Sequence, residues 1–254
     1  MVQRFRSGLG ARSAALLLSL ETRFDRILQG WMLVAGLACV LRIAFSPPTQ
    51  PELSLIAPYL LLVAAPVASA LLALRWFADG DAMLRTTPRL PWPRTRAVTL
   101  AEARRHPLFG TTGIMVSLLV GILLNVPVRA AEYLASNAPI PTGMPHWLST
   151  LHMLMSFDVV LFTSLYAVVF VAGLRRAPYF PAMLMSLWVA DLAMQLVIAS
   201  ILGGSPDLPP GVAGALHGLL EGNVKKTLIS VAIWLPYLIM STRVSITFRH
   251  RIPA

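Results

Sequence analysis

The sequence predicts an all-α polytopic membrane protein with six transmembrane helices and both termini in the cytoplasm. Three observations carry that prediction. Hydrophobic residues make up 56% of the chain and charged residues only 13%, where a soluble domain carries roughly 25% charged residues. Six apolar runs approach the roughly 20 residues that a helix needs to cross a hydrocarbon core about 30 Å thick. The basic residues fall in alternate loops, which is the bias that sets orientation.

Residues 1–26 form a basic, amphipathic N-terminal segment, with Arg4, Arg6 and Arg12 ahead of "AALLLSL". That apolar stretch is at the short limit for a signal peptide, and "ETRFDR" follows it in place of a small-residue cleavage site, so no signal peptide is expected. Residues 9–28 have an apolar side (Leu16, Leu20, Phe24, Ile27) and a polar one. That pattern suits a cytoplasmic interfacial helix; the alternative is an extension of the first span.

The transmembrane domain is placed at 27–252, with spans Ile27–Phe45, Leu55–Phe77, Gly110–Val128, Trp147–Leu174, Phe180–Leu202 and Val224–Ser241. The sixth is the weakest, because Lys225 and Lys226 must snorkel at its outer end. Pro66 and Pro236 fall inside spans, where neighbouring helices can satisfy the freed carbonyls. With the N-terminus inside, 17 of the 21 Lys and Arg residues lie on the cytoplasmic side. Arg129, Lys225 and Lys226 lie in or beside outer loops, and Arg42 lies within a span. An odd number of spans would scramble this pattern.

Two loops stand out. The outer "SPPTQPELS" is short and rich in proline. The cytoplasmic loop 78–107 is long and basic, and its "PRLPWPRTR" is suited to lie on anionic lipid headgroups. The net charge of +10 does not point to nucleic acid, because the charges flank apolar runs and form no aromatic-interleaved patch. The expected surroundings are the bilayer and its anionic headgroups, with membrane-protein partners or a homo-oligomer possible.

The single Cys39 excludes a disulfide framework or a Cys-based metal site within one chain. Met144, His146, His152, Met153 and Met155 cluster near the outer side, and Met and His suit copper. Only His152 and Met155 share a good helical spacing, however, and methionine is ordinary core filler. No metal or cofactor is expected. Catalytic templates such as His-Glu-x-x-His, Gly-x-Ser-x-Gly or a Walker loop are absent, so no enzyme is expected. Small residues recur at four-residue spacing in the third span (Gly113, Ser117, Gly121) and in the second (Ala65, Ser69, Ala73). Such stripes let helix backbones approach closely and are read as bundle packing.

Four buried polar residues need a reason: Asp158, Asp191, Arg42 and Gln195. An isolated carboxylate at mid-bilayer costs about 2.5–3.5 kcal/mol on insertion scales. At about 1.5 Å of rise per residue, Asp191 stands roughly 16 Å, Arg42 roughly 21 Å and Asp158 roughly 24 Å above the cytoplasmic boundary. Gln195 lies one turn outward of Asp191 on the same face. Matched depth leads to the expectation of an Arg42–Asp158 ion pair locking the first and fourth spans, with Asp191 protonated or hydrogen-bonded. The alternative is a polar path through the bundle that carries a proton or a cation.

The C-terminal stretch "IWLPYLIMSTRVSITF" resembles the last span of the bacterial family called domain of unknown function 2569. The matching residues are Trp234, Pro236, Tyr237, Ser241, Arg243, Val244, Thr247 and Phe248. "RRAPYFP" resembles that family's basic turn before an aromatic-Pro helix start, through Arg175, Arg176, Phe180 and Pro181, and "GWMLVAGL" from Gly30 resembles its opening Gly-Trp-Leu. The resemblance covers the last three spans and, loosely, the first; family members usually have about four spans, so the second span and the basic loop stand as additions. It implies a multi-pass protein of the bacterial inner membrane and supplies no activity. Physically, Trp234 and Tyr237 can pack at depth and near the cytoplasmic boundary, Pro236 bends the helix, and Arg243 stops it at the headgroups, where it can reach phosphates or a helix C-terminus.

The function expected from these features is a scaffold or accessory subunit of a membrane complex or envelope pathway. The competing expectation is a small proton-linked transporter or channel using the buried acids. A packed core with a flat apolar face favours the first, and a polar cavity reaching Asp191 favours the second.

Overall fold

A computed structural model describes residues 13–46, 53–83, 95–137, 139, 144–205 and 208–253. Arg4, Arg6, Arg12, most of the proline-rich outer loop and residues 84–94 of the basic loop lie outside them. The described chain is almost entirely helical. In order come α1 (Ser13–Thr22), α2 (Phe24–Ala44), α3 (Leu53–Trp76), a 3-10 turn (Gly80–Ala82), β1 (Thr95–Ala97), α4 (Leu100–Arg105), α5 (Ile114–Ser136), α6 (His146–Leu174), α7 (Phe180–Gly203), α8 (Pro210–Met240), α9 (Thr242–Arg249) and β2 (Arg251–Pro253). Five helices, α2, α3, α5, α6 and α7, are each long and apolar enough to cross a membrane, and α8 with α9 makes a sixth span when taken as one helix bent by 69°.

The most buried helix is α6, and α3, α5 and α7 pack directly against it. Its Phe162, Phe170 and Val171 are sealed from the surface. Close approach depends on Gly173: a Cβ there would meet Leu119 Cδ2 at 2.5 Å and Phe180 Cε2 at 2.7 Å. On α3 the closest-packed small residues are Ala70 and Ala73. The stripe expected to pack α5 does not do so. Ser117 and Gly121 are on the outside of the helix, nothing lies within 4 Å of a Cβ built on Gly121, and Gly113 is the N-cap. The buried side of α5 is instead Met115, Leu118, Leu119, Ile122 and Val126. Large apolar side chains filled the core, and the small ones were left facing out.

One end of the bundle gathers the segments that should share a side. The Ser13 hydroxyl accepts from Gly113 N at 3.0 Å. Gly80 packs on the Arg175 carbonyl, where no side chain would fit. β1 and β2 pair antiparallel, Thr95 opposite Pro253 and Ala97 opposite Arg251. Thus α1, the described parts of the basic loop (78–83 and 95–107), the 175–179 turn and the strand β2 meet on one basic face, as an even number of crossings requires. α1 runs into α2 through an unbroken hydrogen bond from Ile27 to Arg23. Its inward side uses Leu17 in place of Leu16, which is 56% exposed.

Two span boundaries differ most from expectation. α5 does not end at Val128. It continues through Pro127 to Ser136, because "RAAEYLA" is rich in helix formers. α8 begins at Pro210, well before Val224. Proline suits the first helical turn, and Glu221 supports the next turns through a pair with Lys225 at 2.7 Å. Arg129 and Lys226 are therefore helical residues at membrane depth.

In the C-terminal motif, Trp234 and Tyr237 pack edge to face, with ring centroids 6.1 Å apart. Pro236 lies within α8, and Ser241 is the break before α9. Arg243 does not reach outward to headgroups: it donates to the Gly110 carbonyl at 3.3 Å and to Thr112 Oγ1 at 2.8 Å. α9 folds back under the bundle, and Phe248 stacks on Phe180 at 4.9 Å.

Candidate functional site: a buried ion cluster in a membrane cavity

Asp158 and Asp191 do meet a guanidinium, but it belongs to Arg129. The extension of α5 past Pro127 places Arg129 roughly 22 Å along the helix from Ile114. Its Nη2 stands 2.5 Å from both Oδ1 and Oδ2 of Asp191. Nη1 reaches Asp158 Oδ2 at 3.1 Å, and Nε donates to Asn125 Oδ1, one turn earlier, at 3.1 Å. The guanidinium carbon also lies over the Phe162 ring at 4.9 Å and near the Tyr166 ring at 5.7 Å, a placement that favours a cation.

The remaining acceptor positions are filled from three helices. Gln195 Nε2 donates to Asp158 Oδ1 at 3.3 Å, and Asn223 Nδ2 donates to Gln195 Oε1 at 3.3 Å. The Tyr166 hydroxyl and Thr227 Oγ1 donate to Asp191 Oδ2 at 3.3 and 3.4 Å. One network thus ties α5, α6, α7 and α8 together. Burial is graded: the side chain of Asp191 is 1% exposed, Asp158 8% and Arg129 14%. A buried pair of this kind persists only when the remaining lone pairs are satisfied, as they are here.

Arg42 is elsewhere. It sits in the last turn of α2 and donates through Nε to the carbonyl of Asn137, the C-cap of α5, at 3.3 Å. The Tyr59 hydroxyl reaches the same oxygen at 3.4 Å. A cation at a helix C-terminus offsets the partial negative charge there. The expected Arg42–Asp158 pair is therefore replaced by Arg129–Asp158, while Asp158, Asp191 and Gln195 do come together. Sequence reading missed Arg129 because the third span was ended at Val128, which left Arg129 in or beside an outer loop. The signal was Asn125, Arg129 and Glu132, spaced four and three residues apart, which continues one helical face.

The cluster forms the floor of a cavity of about 460 Å³. Among the described residues α8 packs mainly against α7 and α9 and at most slightly against α5. The gap between them is the cavity, bridged near its rim by an ion pair between Lys226 and Glu132. Gly218 and Gly222 line the α8 side, and a Cβ on either would meet nothing within 4 Å. Chemically, one guanidinium and two carboxylates leave a site with room for one further positive charge.

Fold and site together define an all-α polytopic membrane protein with a buried, charged, ligand-sized cavity. No family model, curated protein or solved structure matches the chain.

Proposed function

We propose that the chain is a small proton-linked transporter of the bacterial inner membrane, with Arg129, Asp158 and Asp191 as its ion-coupled centre. The observation that carries this reading is the cavity whose floor is Asp191 and Asp158. A charged cavity at membrane depth supports transport over a scaffold. The outward apolar side of α2, with Leu33, Val34 and Leu37, suits lipid contact in any membrane protein and does not favour a scaffold. The guanidinium holds Asp191 through both oxygens and Asp158 through one, so Asp158 is the less tightly held carboxylate and the one that exchanges a proton. The 17 basic residues allotted to one side support an orientation with that side cytoplasmic. The resemblance to domain of unknown function 2569 supports the inner membrane as location.

The test is reconstitution in vesicles with an imposed pH gradient and an entrapped pH dye. A panel of cationic, zwitterionic and neutral solutes is added in turn. At least one solute should speed collapse of the gradient, and Asp158→Asn, in protein that still folds, should abolish that effect. If no solute moves protons, the carrier reading fails; co-purification of a stoichiometric protein partner in mild detergent would then favour the scaffold.

A further inference from the structure

We infer that the ligand of this cavity is an amphiphilic cation, one positively charged nitrogen or phosphorus on an apolar body, admitted from the bilayer through the slot between α5 and α8. The inference deepens the transport reading by naming its substrate class, and it rests on the same carboxylates.

The slot opens toward lipid. Val128 and Leu219 line the cavity and are also exposed on the outside, at 51% and 36%. Along the helices Val128 lies roughly 21 Å from Ile114, and Ser230 and Leu219 roughly 15 and 31 Å from Met240. The slot thus runs from within a core about 30 Å thick to its outer edge. Besides the Lys226–Glu132 pair, its lip carries Val128 and Leu219, apolar side chains that meet acyl chains, so an amphiphile can partition into the bilayer first and enter sideways. The interior is graded to match. Val128, Leu219, Met155 and Val159 offer apolar wall, the two glycines of α8 leave room for bulk, and the charge is at the floor.

The sign of that charge selects the ligand. The groups facing Asp158 and Asp191 are Arg129 from α5, Tyr166 from α6, Gln195 from α7 and Thr227 from α8. Glu132 and Lys226 at the rim neutralise each other. Arg129 balances Asp191, and the charge left over is that of Asp158, which is also the more accessible acid. A ligand cation and a proton therefore compete for the same carboxylate, which gives exchange of one for the other. An anionic amphiphile meets a carboxylate it cannot neutralise, and the two cations among the lining residues, Arg129 and Lys226, are already committed to acids.

Two probes of equal size and opposite charge decide the matter: tetraphenylphosphonium and tetraphenylborate, measured by equilibrium dialysis on the full chain in detergent. Tetraphenylphosphonium should bind saturably at one site per chain. Its affinity should fall about tenfold per pH unit once Asp158 protonates, as exchange for one proton requires. Asp158→Asn should weaken it at least tenfold and Asp158→Glu should retain it. Gly222→Leu, which fills open space and should not disturb folding, should also block it, and this variant serves if Asp158→Asn misfolds. Equal or tighter binding of tetraphenylborate, or unchanged phosphonium binding in Gly222→Leu, overturns the inference. Solute-dependent proton flux with no phosphonium binding leaves the carrier reading standing and removes the cation; phosphonium binding in a protein that moves no protons does the reverse.

Discussion

Arg129 holds Asp191 by both carboxylate oxygens, each 2.5 Å from Nη2, and holds Asp158 by one, 3.1 Å from Nη1. A single residue of α5 thereby answers for two acids on two other helices. Removing it strands both. Arg129→Leu should destabilise the protein by about 3–5 kcal/mol, the usual cost of breaking a buried pair from one side. Adding Asp158→Asn and Asp191→Asn should restore part of the loss. Melting in detergent for the single, double and triple variants measures this, and a triple variant no more stable than Arg129→Leu would contradict it.

Arg42 provides the contrasting cycle. Because it caps α5 at Asn137 rather than pairing with Asp158, Arg42→Leu and Asp158→Leu should act independently. Their combined effect should equal the sum within about 0.5 kcal/mol. Partial rescue in the double variant would reinstate an Arg42–Asp158 pair.

The packing of glycines separates two faces of the bundle. Gly173→Leu should destabilise by at least about 1–3 kcal/mol, the range for overpacked cores, because Leu119 and Phe180 already occupy its Cβ position. Gly121→Leu should leave the melting temperature nearly unchanged, since that position is open. The reverse order of effects would mean that α5 is rotated from its described position.

Orientation is checked by fusion. Reporters joined at Gly80 and at Ser205 should give opposite compartment signals, with Gly80 on the basic side. Equal signals are incompatible with six crossings.

On the basic face, α4 begins with a capping box: Thr99 Oγ1 accepts from Glu102 N, and Glu102 accepts from Thr99 N at 2.8 Å. The Thr99 backbone bond, with help from its hydroxyl, lowers the Glu102 pKa below the ordinary value. A folded pKa below the unfolded one means the cap contributes fully above the unfolded value and is lost as pH falls through the folded one. Amide exchange at Glu102, corrected for intrinsic rate, should therefore rise on acidification below the ordinary glutamate range, and Glu102→Gln should remove that pH dependence. An exchange rate that stays flat in the parent would mean that the carboxylate does not hold the cap.

The sequence by itself determined the class of protein, the approximate place of six spans and the two acids that matter. Those follow from apolar run length and from the cost of burying a charge, both local properties of a chain read against a bilayer. It could not decide which cation meets the acids. Depth arithmetic placed Arg42 and Asp158 at one level, yet a level is a ring of positions around a bundle, and helix rotation and neighbour order choose among them. The choice turned on α5 continuing past Val128, where the apolar run ends, to Ser136. In the folded chain that extension is sustained by Asp158 and Asp191 on two other helices, with Tyr133 held at Ser156 by a 2.7 Å hydrogen bond. The stripe of Gly113, Ser117 and Gly121 failed for the same reason: spacing says which residues share a face, and only tertiary packing says what that face meets. The cavity is the furthest from the sequence, because it comes from α8 standing away from α5, a gap between two elements that no property of either one encodes.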